Sequence, residues 1–143
     1  MFSMPKPTFT VSTDSSKLDV EMIHQYLSKE SYWAKGRTRE TVETSIKNSL
    51  CFGIYTQEKQ IGFTRVATDY AIFAWIMDVF ILPEYRGLGA SKQLMQAVIS
   101  HEALANLRRW GLMTHDAHTL YQQVGFLPLK NQEYFMEYLP EKK

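Results

Sequence analysis

Apolar positions alternate between helical and strand spacing along the chain, and the switches mark its elements. Leu18, Met22, Ile23, Tyr26 and Leu27 recur at helical spacing behind a weak cap formed by Ser16 and Asp19. Lys35-Gly36-Arg37 interrupts this pattern, and Thr38 then stands where it caps a second helix that carries Val42 and Ile46 and ends near Asn48. Leu50 to Tyr55 and Gln60 to Ala67 are strand-like runs around the polar turn Gln57-Glu58-Lys59-Gln60, and Ala71 to Leu82 follows Thr68-Asp69. These runs predict an antiparallel meander.

The second half returns to helical spacing. Leu94, Met95, Val98 and Ile99 form the inner face of a helix predicted from Gly89 to Ser100, Arg109 to Met113 is a short strand, and Asp116 to Val124 a further helix. Phe126 to Leu129 and Tyr134 to Leu139 are expected to close the sheet as strands. Strand, helix, strand at this point implies a parallel crossover inside an otherwise antiparallel sheet. Residues 1–14, with Pro5 and Pro7, are expected to be an extended or loosely ordered lead-in.

At 143 residues and 45% hydrophobic content the chain is expected to form a single domain, residues 1–143, with a sizeable core. Sixteen Lys and Arg against 15 Asp and Glu leave a net charge of +1, too little for a general nucleic-acid-binding field. The lone Cys51 sits in an apolar run and reads as a buried small residue, with no internal disulfide to form. The N-terminal stretch lacks an apolar signal core, and the longest apolar run, Tyr70 to Leu82, contains Asp78 and is too short to span a bilayer. A cytoplasmic location is expected, with no membrane partner.

The densest chemistry lies between Asp78 and Gln93, where an apolar strand stopped by Pro83 runs through a basic, glycine-bearing turn into a helix. Gly87 and Gly89 allow a tight turn, and the N–H groups from Leu88 to Lys92 have no partner inside the helix, an arrangement suited to a pyrophosphate. The nucleotide P-loop is not matched, because Ser91-Lys92-Gln93 reverses its Lys-Ser order; the dinucleotide fingerprint is not matched either, with Lys92 at its third glycine.

Arg86-Gly87-Leu88-Gly89, with Ser91 at the last small position, resembles the acetyl-CoA-binding motif of the GNAT N-acetyltransferase superfamily. Asp116 to Phe126, containing Ala117, Leu120, Tyr121, Gly125 and Phe126, is similar to a second segment of that family, a tyrosine-bearing helix ending at glycine. Ser31-Tyr32-Trp33-Ala34, Ser49 to Gly53, Ile61 to Arg65 and Met113 to His118 extend the likeness, over roughly residues 15 to 138, to a mostly bacterial branch.

The resemblance implies an α/β (α+β) fold with a mixed, mainly antiparallel sheet, a central parallel strand pair and about four flanking helices. It implies an enzyme that moves an acetyl group from acetyl-CoA directly to a primary amine, with a non-catalytic acyl-CoA-binding or sensor domain as the alternative. Val79, Phe80 and Ile81 would carry the pantetheine arm through main-chain atoms, and Arg86, Gly87, Leu88, Gly89, Ala90, Ser91 and Lys92 the phosphates. Tyr121 would protonate the departing thiolate as general acid, or else be a core aromatic beside Leu120 and Val124. Asp78 is the first candidate for the general base, with a carboxyl whose pKa burial would raise, or else an exposed residue or a partner of Arg65. Asp116, His118 or water stand behind it.

Tyr32 and Trp33 would line the acceptor pocket or simply cover the core. His115 and His118 lack the further ligands a metal needs, so no metal is expected. The acceptor is a small-molecule or protein amine, nucleic acid is not expected as a partner, and the aromatic C-terminal stretch Tyr134 to Tyr138 offers an edge for a homodimer.

Overall fold

The computed structural model describes residues 6–140. In chain order the elements are β1 (Thr10–Ser12), α1 (Val20–Gln25), α2 (Arg39–Lys47), β2 (Leu50–Thr56), β3 (Lys59–Thr68), β4 (Phe73–Ile81), α3 (Ala90–Ile99), β5 (Arg109–Leu112) and α4 (His118–Gln123). They form a mixed α/β fold around a five-stranded sheet in the order β1-β2-β3-β4-β5. Every neighbouring pair is antiparallel except β4 with β5, which is parallel across the α3 crossover. Among the described residues no helix is long and apolar enough to cross a membrane.

Local sequence accounts for the boundaries. Thr38 caps α2 by accepting the Thr41 N–H, as its position predicts. For α1 the cap is Asp19 itself, which accepts the Met22 N–H at 3.0 Å; Ser16 instead lies in a short 3-10 turn capped by Asp14. The carboxylate wins because it sits directly before the first apolar turn. α1 then widens into a π turn, Tyr26–Glu30, which delivers the chain to the loop at Ser31. The β2–β3 hairpin closes on Gln57 and Glu58, both at positive φ (48° and 67°), the backbone twist a two-residue hairpin requires.

Strand alternation divides the core between the two faces of the sheet. Phe52, Ile54, Ile61, Val66, Ile76 and Ile81 pack with Leu94, Met95 and Val98 of α3 and with Tyr121 of α4. Cys51, Phe63 and Phe80 face the other way, onto Ile23, Tyr26, Leu27 and Val42. Tyr26 stacks on Phe80 with ring centroids 4.0 Å apart. Of the expected extended lead-in, residues 1–5 lie outside the described residues and Thr10–Ser12 forms β1, next to Phe9, whose carbonyl accepts the side-chain amide of Gln93 in α3 at 2.7 Å.

The two closing strands do not form. Phe126 to Leu129 is irregular, and the later stretch holds only a 3-10 turn at Gln132–Tyr134. Pro128 and Pro140 remove donors from any ladder, and the edge strands of the described sheet are short, three residues for β1 and four for β5. The apolar alternation of Tyr134 to Leu139 therefore stands exposed, and the parallel pair lies at the side of the described sheet rather than in its centre.

Pairing of β4 with β5 depends on Gly111, because a Cβ there would lie 2.5 Å from the Trp75 ring. Gly111→Ala is expected to push Trp75 aside at a cost of about 1–2 kcal/mol, read as a lower urea midpoint with an unchanged slope.

Candidate active site

The site begins where two strands part. β4 and β5 are paired from Phe73–Arg109 to Ile76–Leu112; β5 stops there while β4 runs on to Ile81. Among the described residues the outer edge of β4 beyond Ile76 consequently has no strand beside it. On the inner edge the register slips: Arg65 pairs with Met77 but Phe63 pairs with Phe80, so β4 carries one extra residue. The bulge falls at Asp78, which adopts the left-handed region at φ 57°. The Thr64 hydroxyl donates to the Met77 carbonyl at 3.0 Å and fixes the slipped register.

The Asp78 carboxylate is enclosed by donors. Oδ1 accepts the Trp33 indole N–H at 2.8 Å, and Oδ2 accepts Arg37 at 2.8 Å and Arg65 Nε at 2.6 Å. Its side chain is 2% exposed, against 22% for Arg37 and 13% for Arg65. Burial on its own would raise the carboxyl pKa, but the hydrogen bond and charge of Arg65, the charge of Arg37 and the Trp33 N–H outweigh it and hold Asp78 below the ordinary aspartate value. The expectation of a raised pKa at Asp78 is thus reversed, and the pairing with Arg65 holds instead. A carboxylate so stabilised as an anion is a poor proton acceptor.

Past Ile81 the chain makes a 3-10 turn at Pro83–Tyr85 and then the glycine turn. Gly87 and Gly89 have φ of 78° and 82°, and Gly89 caps α3 with its main chain. Among the described residues no protein group accepts the N–H of any residue from Gly87 to Lys92. Arg86 behaves differently from the expectation that it adds charge at phosphates. Its Nε donates to the Ile81 carbonyl at 3.0 Å and a terminal nitrogen to the Tyr26 hydroxyl at 2.8 Å, so the guanidinium latches the turn to the end of β4. Lys92 is exposed at the turn, while Val79, Phe80 and Ile81 send their side chains into the two cores and leave only main chain at the open edge.

A cavity of about 560 Å³ opens where β4 and β5 part. Tyr32, Trp33, Asp78, Val79, Asp116 and Tyr121 all line it, together with Arg37, Arg65 and Trp75. Tyr32 and Trp33 meet edge to face at 5.1 Å, and the Tyr32 hydroxyl accepts the His115 N–H at 3.3 Å. Tyr121 is 8% exposed, and burial, with smaller contributions from Tyr32 and Asp116, pushes its phenol up to about 12. It is both a core residue and a cavity residue, so the two readings of the sequence are not exclusive. His118, the first residue of α4, is exposed and does not line the cavity. No group of three or more His, Cys, Asp or Glu that would hold a metal occurs among the described residues.

Sequence reasoning missed Arg37 and Trp75. Arg37 had a signal, a cation beside Gly36 in the interruption between helices, but nothing in the chain showed that this loop folds over β4. The loop is pinned by Gly36 N–H to the Ser28 carbonyl, Arg37 N–H to the Ala34 carbonyl, and the Ser31 hydroxyl to the Leu27 carbonyl.

Parallel strands that part beside a glycine turn, with a buried phenol lining the cleft, agree with the acetyltransferase family that this chain matches. The family model described as "Acetyltransferase (GNAT) domain" matches residues 47–128. A crystal structure from Xanthomonas campestris pv. campestris, of an acetyltransferase assigned to the GNAT family, is 46% identical with a TM-score of 0.91, covering 95% of this chain and 96% of that one. A Gibberella zeae protein bearing an acetyltransferase name is 31% identical over 135 residues, 79% of this chain and 75% of its own length. Glucosamine-6-phosphate N-acetyltransferase from Arabidopsis thaliana, 16% identical with a TM-score of 0.64 over 93% of this chain and 99% of that one, shares the fold. The chain belongs to the GNAT family of acetyltransferases.

Asp78→Asn keeps a residue that tolerates the left-handed backbone but removes the charge between the two arginines. A loss of about 2 kcal/mol is expected at neutral pH, discounted because both arginines keep some contact with water. Since the folded pKa of Asp78 is depressed, its stabilisation is complete above the ordinary aspartate value and disappears as pH falls through the lower folded value. Wild-type and variant stabilities should therefore converge in acid, as followed by urea titration at several pH values.

Proposed function

We propose that the protein transfers the acetyl group of acetyl-CoA directly to a primary amine. The observation that carries this reading is the run of N–H groups from Gly87 to Lys92, unpartnered among the described residues, next to an outer edge of β4 that has no described strand beside it beyond Ile76. Those N–H groups, at the positive end of the ten-residue α3, suit a diphosphate, with Lys92 adding charge. The edge along Val79, Phe80 and Ile81 suits a pantetheine arm as an added strand. A cradle turned by two left-handed glycines with open space around them fits the coenzyme.

Acetyl-CoA supplies an activated thioester when bound. Main-chain N–H at Val79 steadies the charge that grows on the carbonyl oxygen, a contribution of about 3 kcal/mol from one well-aimed donor. The cavity walls Tyr32 and Trp33 hold the amine in line with the carbonyl carbon. A nitrogen–carbon bond forms as the carbon–sulfur bond breaks; the sulfur keeps the electron pair and takes the Tyr121 proton, which solvent restores. The amine sheds its proton to cavity water, with Asp116 at the rim. Asp78 serves this scheme as an anchor for Arg37, Arg65 and Trp33.

Calorimetry with acetyl-CoA tests the cradle. Gly89→Ala is expected to cost about 1 kcal/mol of stability through its positive φ and to weaken the coenzyme about tenfold by turning the N–H groups; unchanged affinity would remove the cradle from the scheme. Tyr121→Phe is expected to lower kcat about 100-fold with little change in the acetyl-CoA KM. Because the acid form of Tyr121 is the active one, its alkaline limb in kcat is expected only as pH approaches about 12. Coenzyme binding without transfer to any amine would instead leave a binding module.

A further inference from the structure

Two guanidinium groups share one carboxylate in the wall of the cavity. Arg65 spends its donors inside the protein, on Asp78, on the Ser49 hydroxyl at 3.2 Å and on the Met77 sulfur at 3.5 Å. Arg37 gives one terminal nitrogen to Asp78, and among the described residues its Nε and its other terminal nitrogen meet no acceptor. A guanidinium has five N–H donors, and its planar fork matches a carboxylate. Asp78 thus holds Arg37 in one orientation while leaving much of its hydrogen-bonding capacity unspent, and the trio retains one positive charge in a partly desolvated wall.

The opposite rim has the opposite sign. Asp116 lines the cavity near Tyr121, and its side chain has no hydrogen-bond or ion-pair partner among the described residues. Between the two ends lie Tyr32 and Trp33, the first touching His115 beside Asp116 and the second bonded to Asp78. Trp75, Met77, Leu112 and Met113 complete an apolar lining. A cavity that is cationic at one end, anionic at the other and aromatic in between complements a zwitterion with an apolar body.

We infer that the acceptor is an amino acid-type amine, whose carboxylate is bound by Arg37 while its amine lies toward Asp116 and Tyr121 and its apolar body rests on Tyr32, Trp33 and Trp75. This inference rests on the acetyl-transfer reading and sharpens it. A simple polyamine meets the Arg37 end as a like charge and is disfavoured there.

The test uses the full chain and three probes with one body: L-phenylalanine, its carboxamide, and 2-phenylethylamine. A second set moves the carboxylate one or two methylenes from the amine, to find the spacing the cavity accepts. Binding is measured calorimetrically with CoA present, and transfer by release of free thiol from acetyl-CoA. The best-spaced acid is expected to bind and react about tenfold to a hundredfold better than its carboxamide, the range for a hydrogen-bonded charge. Arg37→Gln should bring that ratio toward one, and Arg37→Lys should restore part of it. Because the ratio is taken within each variant, a loss of stability from disturbing Asp78 does not imitate the result; acetyl-CoA affinity serves as the folding control.

The inference is overturned if acid and carboxamide are equivalent in the wild type, if the preference survives Arg37→Gln, or if no member of either set binds. Selective binding of the acids without thiol release would uphold the carboxylate site and sink the transfer reading. Equal acetylation of amines with and without a carboxylate would do the reverse.

Discussion

The hold that three donors keep on the Asp78 carboxylate is the constraint on which the rest of the site depends. An aspartate in the left-handed region inside a strand is unfavourable by itself, and β4 tolerates it because Trp33, Arg37 and Arg65 repay the strain with charge-assisted bonds. The extra residue at Asp78 sets which face each following residue meets: Phe80 goes to the Tyr26 side and Ile81 to the α3 side. The same carboxylate draws the loop from Ser31 to Thr38 down over the sheet, and that loop carries the aromatic wall of the cavity. Strand register and pocket wall are thus held by one side chain.

At the glycine turn the organisation is main-chain rather than side-chain. Pro83 and the two left-handed glycines shape the cradle, and Arg86 stabilises it from behind by bridging the end of β4 to Tyr26. Tyr26 stacks on Phe80 in turn, so the turn, the strand and the π turn after α1 form one mechanical unit. The cavity is built from side chains of the loop over β4, of β3, β4 and β5, of the stretch before α4 and of α4 itself, and this is where related folds have room to differ.

Legibility in the sequence followed the range of the interactions. The Thr38 cap of α2, the hairpin, the glycine turn and the α3 crossover are fixed by neighbours a few residues apart, and their spacing announced them. The closing strands were misread because the alternation of Tyr134 to Leu139 says what a strand would look like and nothing about whether an edge is free to receive it. Asp78 was recognised as unusual, but its chemistry hinged on Arg37, forty-one positions away, which only the folded loop delivers. Tyr121 lines the cavity, and the helix that carries it and the Gly125 that follows are local signals that the sequence shows.

Cys51 has a practical bearing on enzymology. It is 4% exposed, and burial pushes its thiol up to about 11, so the folded chain's one sulfhydryl stays protonated and shielded at the pH of ordinary assays. A disulfide dye added to a working reaction then reports released coenzyme against a silent protein background, and any slow extra colour counts molecules that have come apart.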